Sequence, residues 1–214
     1  MRFLCLHGGG TNNRIFELQL ASIRYDLGPG NSFEFVEGCL AHGMFPGIDS
    51  LVAPSDGFFA YFDPHSAKSI INAVDDLQKY VETEGPFDAV LAFSQGCGLA
   101  ATWLATAHGK NYAIKAAVFF SGEPAFSPKA LEQGVIKNLD PLVDGSIILP
   151  ALHIWGARDD TNPERNKMLY EQWDDRARAL LVHPGAHELP GSAMDALVVT
   201  DIVHRIRRLC SSET

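Results

Sequence analysis

This 214-residue chain is short of several things, and each shortage removes a class of protein. It has no run of about 18 apolar residues, so no segment reads as a membrane-crossing helix. Basic residues are few: 17 Lys and Arg stand against 26 Asp and Glu, a formal net charge of −9. Broad nucleic-acid binding and docking on anionic lipid both need a basic face, so neither fits. The four cysteines, Cys5, Cys39, Cys97 and Cys210, form no CxxC pair and join no histidine at zinc-ligand spacing. They read as buried thiols in a reducing compartment. The opening apolar stretch, Phe3 to Leu6, stops at His7-Gly8-Gly9-Gly10 and is too short for the core of a signal peptide. The final Ser-Ser-Glu-Thr is neither a prenylation box nor a peroxisomal tripeptide. A soluble, cytoplasmic protein is expected. Repeats, low-complexity tracts and linkers are missing as well, and the length suits a single domain spanning 1–214.

What is present is alternation. Short apolar strand candidates stand at Arg2–Leu6, Phe33–Val36, Ala89–Phe93, Ala116–Phe120, Leu152–Trp155 and Leu180–His183, several of them bounded by Gly or Pro. Helical patterns lie between them. Ile70, Ile71, Val74, Leu77 and Val81 make one stripe over 67–84, which Gly85-Pro86 ends. A Gly- and Ala-rich helix is expected over Gln95–His108. A last helix carries Leu197, Val198, Ile202, Ile206 and Leu209, with Ser192 and Asp195 as a capping box. This order predicts an α/β fold, a mostly parallel sheet with helices on both faces. Two stretches lack a period, 39–66 and 123–149, apart from a short helix expected near 129–137. Both are candidate lid or substrate-binding segments.

The strongest local motif is Ala92-Phe93-Ser94-Gln95-Gly96, placed between a strand and a small-residue helix. That is the setting of a nucleophile elbow, where a serine sits on a sharp turn and small neighbours let strand and helix close on each other. The free N–H groups of the helix start suit a developing negative charge. A serine hydroxyl needs a base. His187, in the loop just past a strand end, is the candidate, with His183 as the fallback. Asp159 or Asp160 follows the strand at 152–155 and can orient the imidazole, and Asp159 is preferred. An oxyanion hole is expected from the backbone N–H of Gln95 and of Gly9, with Gly8 and Gly10 adjacent alternatives. The glycine loop is no dinucleotide site, because Asn13 occupies the last position of Gly-x-Gly-x-x-Gly. Cys97, one turn past Ser94, is expected to pack on the sheet as a small apolar residue. Phe58, Phe59, Tyr61 and Phe62 are candidate acyl-wall residues.

Together Phe3-Leu4-Cys5-Leu6-His7-Gly8, Phe93-Ser94-Gln95-Gly96, His153-Ile154-Trp155-Gly156 through Asp159, and His183-Pro184-Gly185-Ala186-His187 resemble the fungal serine hydrolase (FSH) family of α/β-hydrolases along nearly the whole chain. Ala92 and Ala186 stand where that family commonly has Gly, both mild departures. The resemblance implies the α/β-hydrolase fold and the triad Ser94, Asp159 and His187. It also implies either a thioesterase, of the kind that releases a polyketide from a carrier domain of its synthase, or a carboxylesterase acting on small oxygen esters. The short chain and the aromatic stretch 58–62 resemble the biosynthetic, thioesterase branch. A binding protein on a hydrolase fold would have lost a triad residue, and none is lost here. No metal and no organic cofactor is expected. A carrier domain, usually acidic, would need a local basic patch. Arg205, Arg207 and Arg208, or Arg176 and Arg178, are the candidates.

Overall fold

A computed structural model describes residues 1–106, 114–161 and 163–211, without the side chains of 192–195. Strand β1 (Arg2–Leu6) leads through helices α1 (Asn13–Gln19) and α2 (Ala21–Leu27) to β2 (Ser32–Val36). The first aperiodic stretch holds a small antiparallel pair, β3 (Leu40–Ala41) and β4 (Phe59–Ala60), before helix α3 (Ala67–Glu84). Strand β5 (Ala89–Phe93), helix α4 (Gln95–Ala105) and β6 (Ala116–Phe120) follow. The second aperiodic stretch contains α5 (Pro128–Glu132) and α6 (Pro141–Asp144). The chain then makes β7 (Ala151–Gly156), α7 (Pro163–Glu171), β8 (Arg178–His183) and α8 (Ser192–Ser211).

Six strands form one parallel sheet in the order β2-β1-β5-β6-β7-β8. Alternate side chains serve opposite faces, as strand geometry requires. Leu4 and Leu6 of β1 join Val90 and Ala92 of β5 in the core under α3 and α4. Phe3 and Cys5 join Leu91 and Phe93 in the core under α1, α2 and α8. The central strands β5 and β6 are buried throughout, whereas β2 and β8 at the sheet edges are not.

Several expectations needed correction. The α8 stripe is turned: Val199, Ile202, Val203 and Ile206 are buried, while Leu197 is 87% exposed. The residues at i, i+3, i+4 and i+7 from Val199 lie on one helical face, and Leu197 falls outside it. Helix α4 stops at Ala105, and His108 lies outside the described residues, as do the side chains of the Ser192–Asp195 capping box. Cysteine is not uniformly buried, since Cys39 is exposed and Cys210 half-buried. Among the described residues, no helix is long and apolar enough to cross a membrane.

Candidate active site

Ser94 caps the start of α4 with φ 50° and ψ −115°. Positive φ in a residue with a Cβ is strained by about 1–3 kcal/mol and must be held by its surroundings. The holding contacts are visible. The Ser94 N–H donates to Phe120 O at 3.0 Å, and its carbonyl accepts from the Cys97 N–H at 3.0 Å and the Glu123 N–H at 3.2 Å. Two glycines permit the turn. A Cβ at Gly96 would stand 2.5 Å from Leu6 O and 2.7 Å from His7 O, so only glycine lets α4 cross β1 this closely. A Cβ at Gly8 would stand 2.9 Å from the Phe93 ring and 3.3 Å from Ser94 Cβ.

Three strand ends then bring their side chains together. The Ser94 Oγ lies 3.2 Å from His187 Nε2, and His187 Nδ1 lies 3.1 and 3.0 Å from the two Asp159 oxygens. Asp160, the alternative, is exposed. His183 is buried, and its Nδ1 accepts from the Gly185 N–H, so it belongs to the loop that carries His187. Burial works to raise the pKa of Asp159. The His187 charge and the hydrogen bonds from Asn166 and His187, with the Ser121 hydroxyl close by, outweigh it and hold the carboxyl below its usual range. Asn166 went unnoticed in the sequence. It is buried on α7 and donates from Nδ2 to Asp159 Oδ2 at 3.0 Å. Its place three residues before Leu169 puts it on the buried face of α7, but nothing local marks its partner.

The glycine loop lies against the elbow. Gly9 faces the Gln95 side chain, whose Cδ would be 3.5 Å from an added Cβ. The Gly10 N–H is committed to Phe59 O at 2.8 Å, which removes Gly10 from the alternatives to Gly9 as an oxyanion donor. The Gln95 side chain has a second task that its backbone assignment did not foresee. Its Oε1 accepts from the Tyr61 N–H at 2.8 Å and its Nε2 donates to Phe62 O at 3.1 Å. The residue after the serine thus ties the 39–66 stretch to the elbow.

That tie explains why part of the aromatic cluster is not an acyl wall. Tyr61 is 6% exposed and Phe62 1%. The Tyr61 hydroxyl bridges the His7 N–H and Val36 O, and Phe62 packs edge-on against Phe126. Both rings are core. Phe58 and Phe59 are half-buried, beside and within β4, and their backbone groups bond to His42, Gly10 and Thr11. The rings that meet His187 are instead Phe93, at 5.1 Å between centroids, and Phe45, at 5.5 Å. Phe45 belongs to the 39–66 stretch and was overlooked because it stands alone before Pro46-Gly47.

From the 123–149 stretch, Glu123 approaches the site. Burial pushes its carboxyl pKa up, against the pull of Arg165 and His187. Further along that stretch, Leu131, Leu139 and Ile147 border a cavity of about 540 Å³, whose lining also includes Ile71, Val74 and Thr102. This cavity is at the far end of α4, roughly 16 Å along its axis from Ser94. Cys97 is buried, its thiol directed at Phe120 O and its pKa raised by burial, as expected of a packing residue. The arginines considered for docking already have partners. Arg176 pairs with Asp174 and Arg205 with Asp201, Arg178 reaches Asp175 and Tyr170 O, and Arg207 donates to Asp26 O. Among the described residues, no group of three or more His, Cys, Asp or Glu could hold a metal ion.

The sequence profile of the family described as "Serine hydrolase (FSH1)" matches residues 1–197. The chain belongs to this family. It is therefore a serine hydrolase with the α/β-hydrolase fold. Esterase FPY3 of Fusarium mangiferae is 40% identical over 195 residues, covering 89% of this chain and 88% of that one. Family of serine hydrolases 3 of Saccharomyces cerevisiae is 30% identical over 220 residues, covering 89% and 79%. Among solved structures, esterase PE8 superposes with a TM-score of 0.66 at 18% identity, over 97% of this chain and 92% of that one, a likeness of fold.

Proposed function

We propose that this FSH1-family hydrolase cleaves an acyl thioester through an acyl-enzyme on Ser94, with His187 as general base and then acid and Asp159 as its orienting carboxylate. The observation that carries the reading is the unbroken contact chain from Ser94 Oγ through His187 to the Asp159 carboxylate, at 3.2 and 3.0 Å. In the first half-reaction Ser94 Oγ attacks the acyl carbonyl as His187 takes its proton. The N–H groups of Gln95 and Gly9 receive the oxyanion. The tetrahedral intermediate collapses, and the thiol leaves with the proton held on His187. In the second half-reaction a water molecule, deprotonated by His187, attacks the acyl-enzyme. Free acid departs and Ser94 is restored.

The thioester assignment draws on the resemblance to stand-alone polyketide-releasing thioesterases, with the acyl chain presented on a carrier domain. The aromatic wall that Phe45 adds beside His187 suits an apolar acyl group. A second reading, hydrolysis of small oxygen esters, is favoured by one specific observation: the relative at 40% identity is named an esterase. One experiment separates the two. The protein and its Ser94→Ala variant are given a thioester and an oxygen ester of the same medium-chain acyl group, while thiol or alcohol release and intact mass are followed together. The thioester reading expects the higher kcat/KM for the thioester, a transient acyl adduct on the native chain and none on the variant. A clear preference for the oxygen ester would put the carboxylesterase reading first.

A further inference from the structure

Beside the triad stands an ion pair that the reaction does not use. Glu123 follows β6 by three residues, and its backbone N–H donates to Ser94 O at 3.2 Å. Its side chain starts over the first turn of α4, where a Cβ on Gly98 would be 3.3 Å from Glu123 Cβ. Its Oε1 lies 3.2 Å from Arg165 Nη1 of α7, the helix that also supplies Asn166 to Asp159. The two partners are not equivalent. The Glu123 side chain is 22% exposed and the Arg165 side chain 47%. The negative charge is therefore the more enclosed one and lies within the field of His187, while the positive charge faces water, which screens it. The imidazole itself is packed by the rings of Phe45 and Phe93.

We infer that Glu123 is a specificity residue that excludes acyl groups bearing a negative charge near the scissile carbonyl, so that the site takes neutral or cationic acyl chains. The inference rests on the proposed chemistry at Ser94 and adds the charge class of its substrate. A carboxylate on the acyl chain would meet Glu123 in a partly desolvated cleft, where like charges repel more than in water. Arg165 offsets only part of this, because it is the more solvated partner.

The test compares two thioesters of one small thiol with five-carbon acyl groups, pentanoyl and glutaryl, the second ending in a carboxylate, at pH 8, with thiol release followed. The native chain, Glu123→Gln and Arg165→Gln are assayed, with Ser94→Ala as the blank. Glu123→Gln keeps shape and removes charge. It is expected to raise the kcat/KM ratio of the anionic to the neutral thioester about 10-fold, the order for removing one like charge from a partly desolvated cleft. Arg165→Gln is expected to move the ratio about threefold the other way. A purely structural role would change both thioesters in parallel and leave the ratio alone. Ser94-dependent turnover with an unchanged ratio in both variants overturns the inference and leaves the hydrolase reading intact. Failure of the native chain to turn over either thioester would overturn the proposed reaction and this inference with it.

Discussion

The burial of His153 has a consequence for stability that can be measured in mild acid. The residue sits inside β7, fully enclosed, between the rings of Phe119, Tyr170 and Trp173 at 5.2–5.4 Å. Neither ring nitrogen has a hydrogen-bond partner. Burial, with a smaller contribution from the Arg178 charge, lowers its pKa from 6.5 to about 3. The folded state therefore refuses a proton that the unfolded chain accepts. Stability is intact above pH 6.5 and falls as the pH drops from there toward 3. The linkage relation puts the loss at about 2 kcal/mol by pH 5 and roughly 3 kcal/mol by pH 4. Above about pH 5 this window is nearly free of carboxylate effects; below it Asp56, Asp88, Asp159 and Asp174, whose pKa values folding holds down, lose stability with the same sign. Glu123, raised by burial, acts in the opposite direction and would shrink the loss.

The assay is urea unfolding at pH 8, 6, 5 and 4.5 for the native chain and for His153→Leu, which keeps an apolar volume in the aromatic box. The substituted side chain cannot titrate, so the variant should lose about 2 kcal/mol less than the native chain between pH 8 and pH 5. Parallel stability curves for the two proteins would refute the reasoning and mean that β7 admits a charged imidazole, through water or a shift of Tyr170.

Other perturbations bear on the site. Ser94→Ala should leave the fold unchanged and lower ester kcat/KM by at least about 10⁴-fold, measured against the uncatalysed rate. Asn166→Ala removes a hydrogen bond to a buried carboxylate, a loss of about 1.5–3 kcal/mol, so kcat should fall roughly 10- to 100-fold with KM little changed. A KM effect alone would contradict the positioning role. Gln95→Ala strips the Tyr61 N–H and Phe62 O of their partner and should destabilise the protein by about 2–4 kcal/mol in a denaturant titration. Phe45→Ala should reduce kcat/KM for a medium-chain acyl ester several-fold while sparing an acetyl ester, because only the longer chain reaches the lost wall.

The parts of the molecule written in local pattern could be read in advance. The strand runs of β1, β5 and β6 are apolar because both faces are covered, and their limits agree with the sequence reading residue for residue. Ser94, Asp159 and His187 each follow a strand in a parallel sheet, and the carboxyl ends of such strands share one edge, so their meeting follows from topology. Asn166, Phe45 and the Gln95 side chain escaped for the opposite reason. Each acts on a partner 7 to 142 residues away through a contact that no periodicity encodes. Tyr61 and Phe62 misled because aromatics in an aperiodic stretch look available for ligand. Their hydrogen bonds and packing partners, at Val36, His7 and Phe126, lie in other segments.

The Gln95 contacts also bear on how the strained serine is kept. Gln95 binds the 61–62 backbone through its side chain, β4 accepts the Gly10 N–H through Phe59 O, and the Thr11 carbonyl accepts the Phe59 N–H. The 39–66 stretch is thus hydrogen-bonded both to the glycine loop and to the elbow helix. Loss of the Gln95 contacts therefore loosens the stretch that holds Gly10 and Thr11, the neighbours of Gly9. The stability cost of Gln95→Ala should therefore be accompanied by a fall in kcat larger than the change in KM, because oxyanion donors act chiefly in the transition state. Gln95→Glu separates the two contacts. It still accepts from the Tyr61 N–H but cannot donate to Phe62 O when ionised, so its activity should lie between those of the native chain and Gln95→Ala. Equal activity of all three proteins would show that the glycine loop holds its position without the 39–66 stretch.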